Sequence, residues 1–145
     1  MGEAREVLDR LTRAATEEHS IEAAVHCYAD EAVMVTPDAG QVRGHDGIED
    51  YWRPLLEAIP DAGYESLRKY ETGDTAIDEG WLTGTHTRPM RLPDGETVPP
   101  TGRQIRLREC DVATVRDGRI REHRVYFDQA EFLEQLGLAP SQPPA

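Results

Sequence analysis

The residue pair Asp117-Gly118 constrains the fold of this chain more than any other feature of its sequence. It separates two segments in which side-chain character alternates from residue to residue, as it does in β-strands. Asp and Gly tolerate the positive φ angles of a tight hairpin, so the two segments are predicted to pair antiparallel. Gly73-Asp74 predicts a second hairpin for the same reason. The strands predicted for this sheet are residues 65–70, 75–87, 103–116 and 119–127.

The first third of the chain has helical spacing instead. Apolar residues recur every three or four positions in three segments, which predicts amphipathic helices. Pro54 lacks a backbone donor and is predicted to kink or restart the third helix, for which Asp46 is the predicted N-cap. A short hairpin, residues 32–36 with 41–43, precedes that helix, and a last helix is predicted at 128–136 with Asp128 as its cap. The apolar positions are Ala4, Val7, Leu8, Leu11 and Ala15, then Ile21, Ala24, Val25 and Tyr28, then Ile48, Tyr51, Trp52, Leu55, Leu56 and Ile59.

Helices followed by an antiparallel sheet predict the α+β class. Residues 88–102 are a segment rich in Pro and Gly between two long strands. We interpret this segment as a long loop or short ribbon at a cavity mouth, with a disordered surface insertion as the alternative. The 145 residues are predicted to form a single domain at 1–138 and a flexible Pro-rich tail at 139–145.

The charge of the chain excludes several kinds of partner. With 28 acidic and 16 basic side chains the formal net charge is -12, which disfavours binding to nucleic acids and to anionic membranes. No apolar run is long enough to cross a bilayer and the first residues do not resemble a secretion signal, so a cytoplasmic location is expected. The sequence also lacks a dinucleotide fingerprint, a P-loop and clustered metal ligands, so neither a cofactor nor a metal is predicted.

Four stretches of the second half resemble one known family. They are GWLTGTHT (residues 80–87), PPTGRQI (99–105), VRDGRI (115–120) and EHRVYFDQAEFLEQLGL (122–138). Together they resemble the SnoaL-like polyketide cyclases and related ester cyclases, in the nuclear transport factor two-like superfamily that also contains the ketosteroid isomerases. The resemblance implies a curved antiparallel sheet that forms a cone, N-terminal helices over its concave face and a short C-terminal helix. It also implies an enclosed pocket for a hydrophobic small molecule, and homodimers that pair through the convex face.

Asp111 is the first candidate for a catalytic acid. Alternation along its strand places Glu109 and Asp111 on one face and Arg108 and Cys110 on the other, without showing which face is inside. The resemblance places Asp111 where ketosteroid isomerases carry the protonated aspartic acid of their oxyanion hole. In the SnoaL-type cyclase the same position is a histidine.

His123 is the second catalytic candidate. A type I turn with a bulge at Gly118 brings His123 beside Asp111, whereas a strict two-residue turn brings Arg124 there. We favour the bulged turn, which predicts a carboxylate and imidazole pair suited to proton transfer near neutral pH. The alternative is that His123 is a surface residue in the charged run at 121–124.

His86 is the third catalytic candidate, because its strand of small residues also brings two threonine hydroxyls and permits close approach of a ligand. The alternative is that His86 hydrogen-bonds the rim of the neighbouring loop. Aromatic side chains are expected in the pocket wall together with the polar positions identified by alternation and by the resemblance. The predicted ligand-binding residues are Glu109, Val125, Trp81, Trp52, Tyr28 and Thr36.

Two positions depart from the family pattern. The SnoaL-type cyclase carries its general base two residues after the last-strand histidine, and that position is Val125 here. Ketosteroid isomerases carry their base just before the proline of the early hairpin, and that position is Thr36, with Asp38 on the far side of Pro37. These departures leave the identity of a base open.

Two functions fit the sequence. One is an enzyme that cyclises or isomerises a hydrophobic carbonyl compound, with His123 or His86 as base and Asp111 as acid or oxyanion partner. Such an enzyme needs no cofactor, because hydrogen bonds in a dry pocket stabilise an enolate. The other is a non-catalytic protein that binds a small molecule in the same fold.

Overall fold

The computed structural model describes residues 2–138, so the predicted tail at 139–145 lies outside the described residues. Its helices are α1 (Glu3–Thr16), α2 (Ile21–His26), α3 (Gly44–Ala58) and α4 (Gln129–Gln135). Its strands are β1 (Tyr28–Thr36), β2 (Gly40–Arg43), β3 (Gly63–Thr72), β4 (Thr75–Thr85), β5 (Met90–Arg91), β6 (Thr97–Val98), β7 (Gln104–Arg116) and β8 (Arg119–Phe127).

Six strands form one curved sheet in the order β2-β1-β8-β7-β4-β3, and β5 pairs with β6 in a separate ribbon. The predicted α+β class, with helices on one face of a curved sheet and a short C-terminal helix, is confirmed. The sheet is mixed, since β1 runs parallel to β8 while its other neighbours are antiparallel. Hairpins fix the antiparallel pairs, but β1 and β8 are far apart in the chain and no turn sets their direction.

Helix α1 packs on the concave face over small side chains. Its apolar stripe, which includes Leu8 and Leu11, is buried against a cluster that contains Ala76 and Ala113 of the sheet. Alanines at these sheet positions let the helix approach closely. A second buried cluster, which includes Leu107 and residues of α4, lies at the other end of the sheet. Space remains between the two clusters.

A buried ion pair fastens α1 to the sheet. The guanidinium of Arg5 lies 2.6 Å from an Asp78 carboxylate oxygen in β4, and both side chains are buried. Arg5 also bonds Asp9, one turn further along α1, which in turn bonds Lys69 of β3. Because each buried charge has an opposite partner, the helix is held in one register on the sheet.

Two helix boundaries refine the sequence prediction. Helix α3 begins at Gly44 with Arg43 as its N-cap, so Asp46 lies in the first turn instead of capping it. Pro54 is inside α3 and does not end the helix, which keeps the apolar side packed despite one missing hydrogen bond. In α4, Asp128 accepts a hydrogen bond from the Glu131 amide at 3.2 Å, as predicted. Across residues 2–138, no helix has the length and apolar character to cross a membrane.

Candidate active site

A cavity of about 360 Å³ opens between α3, the concave face of the sheet and the β5–β6 ribbon. Its size is within the range of small-molecule sites, and its walls are mostly apolar and aromatic. The lining residues are Asp38, Ala39, Val42, Gly47, Asp50, Tyr51, Trp52, Pro54, Leu55, Leu82, Met90, Arg91, Leu92, Pro93, Gly95, Leu107, Glu109, Val125, Phe127 and Phe132. We call this space the ligand cavity. The segment at 88–102 is thus a ribbon at its mouth, one of the two interpretations that the sequence left open.

Glu109 supplies a carboxyl group to the sheet wall of the ligand cavity. It lies in β7, where it pairs with Gly80 on one side and Phe127 on the other, and its side chain is buried. Its carboxyl lies on the same face of the strand as that of Asp111, two residues along, and the two groups interact electrostatically. Burial raises the pKa of Glu109 well above its usual range, and the charge of Asp111 raises it further.

A chain of hydrogen bonds continues behind Glu109. An Asp111 carboxylate oxygen lies 2.7 Å from Nε2 of His123, and Nδ1 of His123 lies 2.7 Å from the Tyr28 hydroxyl. The Tyr28 hydroxyl also accepts a bond from the Trp52 indole N–H at 3.3 Å. With Asp111 ionised, these contacts favour the neutral His123 tautomer that carries its proton on Nε2. The four groups link β7, β8, β1 and α3 through one buried network.

Burial sets the protonation of this network. It raises the pKa of Asp111 to about 7, with the charge of Asp78 as the next cause, and it lowers the pKa of His123 to about 4. His123 is therefore neutral at pH 7, whereas Asp111 titrates near that pH and the raised pKa of Glu109 favours its protonated form. A carboxyl pair with a proton to give or accept near neutral pH is suited to general acid–base chemistry.

The register that brings Asp111 and His123 together has a different origin from the predicted one. The turn at Asp117-Gly118 is a strict two-residue turn, with φ angles of 55° and 78° and Arg116 opposite Arg119. The extra residue lies further along β8, at position 121, between the pairs Val115↔Ile120 and Thr114↔Glu122. Because of this bulge, His123 lies on the same face of the sheet as Asp111, the outcome that was expected from a bulge at Gly118. His123 then pairs with Ala113 and reaches Asp111 diagonally, while Val125 lies directly opposite Asp111.

A second carboxyl group enters the ligand cavity from the β1–β2 turn. Asp38 accepts hydrogen bonds on one oxygen from the Thr36 hydroxyl at 2.9 Å and from the Tyr51 hydroxyl at 3.0 Å. Thr36 itself is buried beneath Asp38 and is not in the lining. Two carboxyls of the lining, Asp38 and Glu109, therefore lie in different environments, one hydrogen-bonded to hydroxyls near the mouth and one buried at the sheet.

A smaller cavity of about 50 Å³ lies on the helix side of the network. Asp111 and His123 contribute to its wall and are not in the lining of the ligand cavity. Trp52, Leu82 and Glu109 line both spaces, so they separate one from the other. Tyr28 is buried behind them and reaches the site only through His123 and Trp52.

The structure places two predicted site residues elsewhere. Trp81 pairs with Arg108 on the convex face, where the guanidinium groups of Arg106 and Arg108 lie 4.5 and 4.6 Å from the centre of its ring. The parity of β4 explains this placement, because Leu82, the next residue, faces the ligand cavity. His86 is buried at the base of the ribbon, where its Nδ1 lies 3.0 Å from the Thr101 hydroxyl, and it is in the lining of neither cavity.

Sequence reasoning did not select several residues of the site. The sequence pattern predicts neither Asp38 nor Tyr64 as a site residue, although Asp38 lines the ligand cavity and Tyr64 the small cavity. A polar residue in a turn carries no periodic signal that shows which way it faces. The strand parity of Leu107, Glu109 and Val125 was the usable signal, since all three lie on the concave face.

The charges of the ligand cavity are mostly negative. Asp38, Asp50 and Glu109 line it, and Arg91 at the exposed mouth is its one basic residue among the described residues. Ligands with a carboxylate would meet repulsion there, whereas a neutral molecule with a hydrogen-bond acceptor would not. Within residues 2–138, no group of three or more His, Cys, Asp or Glu side chains is placed to hold a metal ion.

Comparison with known proteins gives a consistent family. The model of the SnoaL-like domain matches residues 8–123. A search of curated proteins by sequence finds no match.

Many solved structures share the fold. A proposed SnoaL-like polyketide cyclase from Jannaschia sp. CCS1 is 18% identical with a TM-score of 0.81, over 95% of this chain and 94% of that one. IdmH, a proposed polyketide cyclase from Streptomyces antibioticus, is 28% identical with a TM-score of 0.73, over 91% and 96% of the two chains. A ketosteroid isomerase-like protein from Catenulispora acidiphila, in complex with trimethylamine, is 16% identical with a TM-score of 0.75, over 96% and 98%.

Proposed function

The chain belongs to the SnoaL-like domain family, and we propose that it is a cofactor-free enzyme that moves a proton on a hydrophobic carbonyl compound. Cyclisation, aldol-type ring closure and isomerisation all begin with this step. The observation that carries the proposal is the pair of carboxyls, Asp38 and Glu109, that face one apolar cavity from different environments. Two titratable groups in contrasting environments are the usual arrangement of an acid and a base.

Glu109 is the acid in this proposal. Its raised pKa favours the protonated form, which donates a hydrogen bond to the carbonyl oxygen of the substrate. As a neighbouring carbon loses its proton, negative charge develops on that oxygen and the hydrogen bond strengthens. Asp111, His123 and Tyr28 act behind Glu109 as positioning residues, because they hold the carboxyl pair in place without touching the substrate.

Asp38 is the base. Its two hydroxyl partners occupy one carboxylate oxygen, so the other oxygen is available to take a proton from the carbon next to the carbonyl. The enolate then attacks a second carbonyl in a cyclisation, or is protonated at another carbon in an isomerisation. The proton on Asp38 returns to the product. The apolar body of the substrate packs against the aromatic wall of Trp52, Phe127 and Phe132.

The relatives support this choice of chemistry without identifying the substrate. Two of the similar structures are proposed polyketide cyclases, and polyketides are carbonyl compounds with large apolar parts. The negative lining of the cavity favours a substrate without a carboxylate.

Non-catalytic binding is the second candidate function. It is favoured by Val125, an apolar residue that lines the ligand cavity at the position where the SnoaL-type cyclase carries its base. A protein with this cavity and an inactive carboxyl pair would bind the same class of ligand without changing it.

Exchange of carbon-bound protons separates the two functions. We would incubate the protein in D₂O with hydrophobic ketones such as 2-tetralone and 2-acetylnaphthalene, and follow deuterium incorporation beside the carbonyl by NMR. The enzyme accelerates exchange, and Asp38→Asn and Glu109→Leu, which remove the base and the hydrogen-bond donor, each lower the rate by roughly a hundredfold or more. Asp50→Asn, at the exposed edge of the same cavity, is the matched control and keeps the rate. Binding of a ketone without any acceleration would support the non-catalytic function instead.

A further inference from the structure

The small cavity behind the carboxyl pair has one apolar and one polar wall. Helices α1, α2 and α3 contribute the apolar wall, which includes Leu8, Leu11 and Leu56. The sheet contributes the polar side chains of Tyr64, Glu109, Asp111 and His123, together with the apolar Leu82. Thr12, Ala15 and Thr16 of α1 complete the lining, and these three are only half-buried, so this end of the cavity is close to solvent.

The hydroxyl of Tyr64 is buried in this region and has no hydrogen-bond partner among the described residues. A buried hydroxyl without a partner costs about 1–3 kcal/mol, so proteins rarely leave one unsatisfied. Gly80 makes room for this side chain, because a Cβ atom at position 80 would lie 2.7 Å from the hydroxyl oxygen and 2.6 Å from Cζ of the ring. Glycine at position 80 thus permits the hydroxyl to lie on the polar wall.

The cavity has the size of a water site, and the polar groups of its mostly apolar lining are concentrated on the sheet side. Its volume of about 50 Å³ is enough for one or two water molecules. An ordered water in a protein needs two to four polar partners, and Tyr64, Glu109 and Asp111 provide them. The apolar walls confine the water to the side where the hydroxyl and the carboxyls lie.

We propose that the small cavity is a water site, in which water bridges the Tyr64 hydroxyl and the Glu109–Asp111 carboxyls and connects them with solvent beside Thr12 and Thr16. The carboxyl pair then exchanges protons with solvent on the α1 side of the molecule. This route is separate from the mouth of the ligand cavity, so it stays open when a ligand fills that cavity. The titratable groups that face the water are Tyr64 of β3, Glu109 and Asp111 of β7 and His123 of β8. Behind them, the charge of Asp78 in β4 acts on Asp111, and the Tyr28 hydroxyl of β1 lies against His123.

The water site does not depend on the proposed function. The use of this site during turnover does depend on the proposed function, because a proton route matters only if Glu109 gives and recovers a proton. The two claims therefore fail separately. Loss of the water would leave the acid–base proposal intact, and absence of ketone exchange would leave the water site intact.

Crystallography of the full chain tests the water site directly. At about 1.5 Å resolution, where ordered waters are visible, we expect density within hydrogen-bonding distance of the Tyr64 hydroxyl and of Asp111. Tyr64→Phe removes one partner and is expected to lose or displace that density while the fold is unchanged. Wild-type density that shows an empty, dry cavity would overturn the proposal.

Hydrogen exchange tests the route. The imidazole proton between His123 and Asp111 is buried in a 2.7 Å hydrogen bond, and its exchange with water is measurable by NMR. Ala15→Leu fills the small cavity from the half-buried side of α1, and Ala39→Leu adds the same side chain at the ligand cavity as the matched control. We expect Ala15→Leu to slow the exchange severalfold and Ala39→Leu to leave it unchanged. The reverse pattern, or equal rates in all three proteins, would show that the protons do not pass this way.

Discussion

Asp111 and His123 are joined by a 2.7 Å hydrogen bond, yet both lie behind the wall of the ligand cavity. Glu109, two residues from Asp111 on the same face of β7, is the member of the network that reaches the cavity. In the proposed function, the network acts through Glu109. Its members determine the position and protonation of that carboxyl, and this division of roles leads to the first two predictions.

Asp111→Asn is expected to stabilise the fold increasingly as the pH rises. The pKa of Asp111 is about 7 in the fold, above the usual value of 3.8, so the folded protein binds more protons than the unfolded chain between these values. Ionising Asp111 thus costs stability from about pH 4 upward, and the full cost is reached above pH 7. Asn carries no such cost. Melting temperatures at pH 5 and pH 8 measure the effect, and the gain is expected to be several degrees larger at pH 8.

The opposite result would have a clear meaning. A loss of stability in Asp111→Asn that is larger at pH 8 than at pH 5 would show that ionised Asp111 stabilises the fold as a partner of His123.

His123 affects the pH dependence of stability in the opposite direction. Its pKa is lowered to about 4, so its burial costs stability as the pH falls from 6.5 toward 4. His123→Gln is the variant that removes this acid-side loss.

Glu109→Gln is expected to remove the pH dependence of ligand binding. Protonated Glu109 donates to a neutral carbonyl ligand, so wild-type affinity falls as the pH rises through the raised pKa of this residue. Beyond that pKa the loss approaches about tenfold per pH unit. The Gln amide donates at every pH and keeps the affinity constant. Calorimetric titration of 2-acetylnaphthalene from pH 5 to pH 9 distinguishes the two proteins, and a flat wild-type profile would contradict the assignment of Glu109 as acid.

The alternation of β7 and β8 made the carboxyl and histidine predictable, because parity depends only on sequence. The two-residue turn and the bulge at position 121 were not separable from sequence, since both a bulged turn and a bulged strand give the same parity. Alternation along β4 also does not show which face of the strand is concave. The sequence therefore could not show that Trp81 lies on the convex face. The helices over the sheet determine that choice through contacts between distant parts of the chain.

Asp38 and Tyr64 illustrate what a local pattern does not contain. Asp38 lies in a turn, and its direction is fixed by the hydroxyls of Thr36 and Tyr51. Tyr64 faces inward because β3 pairs with β4 at Gly80, where the missing side chain makes room for its ring. Both placements depend on a partner from another element, and the single sequence does not identify that partner.

Arg5→Met is expected to destabilise the protein by about 3–5 kcal/mol, because it leaves the buried carboxylate of Asp78 without its partner. Asp78→Asn in the same chain removes that charge and is expected to restore part of the loss. Urea unfolding of the two single variants and the double variant measures the coupling. If the loss in the double variant equals the sum of the losses in the two single variants, Arg5 acts through its bonds to Asp9 and to backbone carbonyls instead.

Tyr126→Glu tests the predicted homodimer. Tyr126 is half exposed on the convex face, where Tyr70 is exposed as well and two arginines lie over Trp81. A charge at position 126 is expected to shift a dimer to monomer in light scattering coupled to size-exclusion chromatography. Glu17→Gln, a change on an exposed helix end, serves as the control. A wild-type monomer at high protein concentration would rule out pairing through this face.

Val125→Asp tests whether a carboxylate can act from the last strand. Val125 is buried, lies opposite Asp111 in the sheet and lines the ligand cavity close to Glu109. A third carboxyl there repels the other two, so the loss in melting temperature is expected to grow from pH 5 to pH 8, whereas Val125→Asn gives a loss that does not change with pH. Equal losses for Asp and Asn at every pH would mean that polarity, not charge, is costly at this position.

In an Asp38→Asn background, Val125→Asp is expected to recover part of the ketone exchange rate, because it returns a proton acceptor to the same cavity from another wall. If it recovers none, the base must approach the substrate from the side of Asp38.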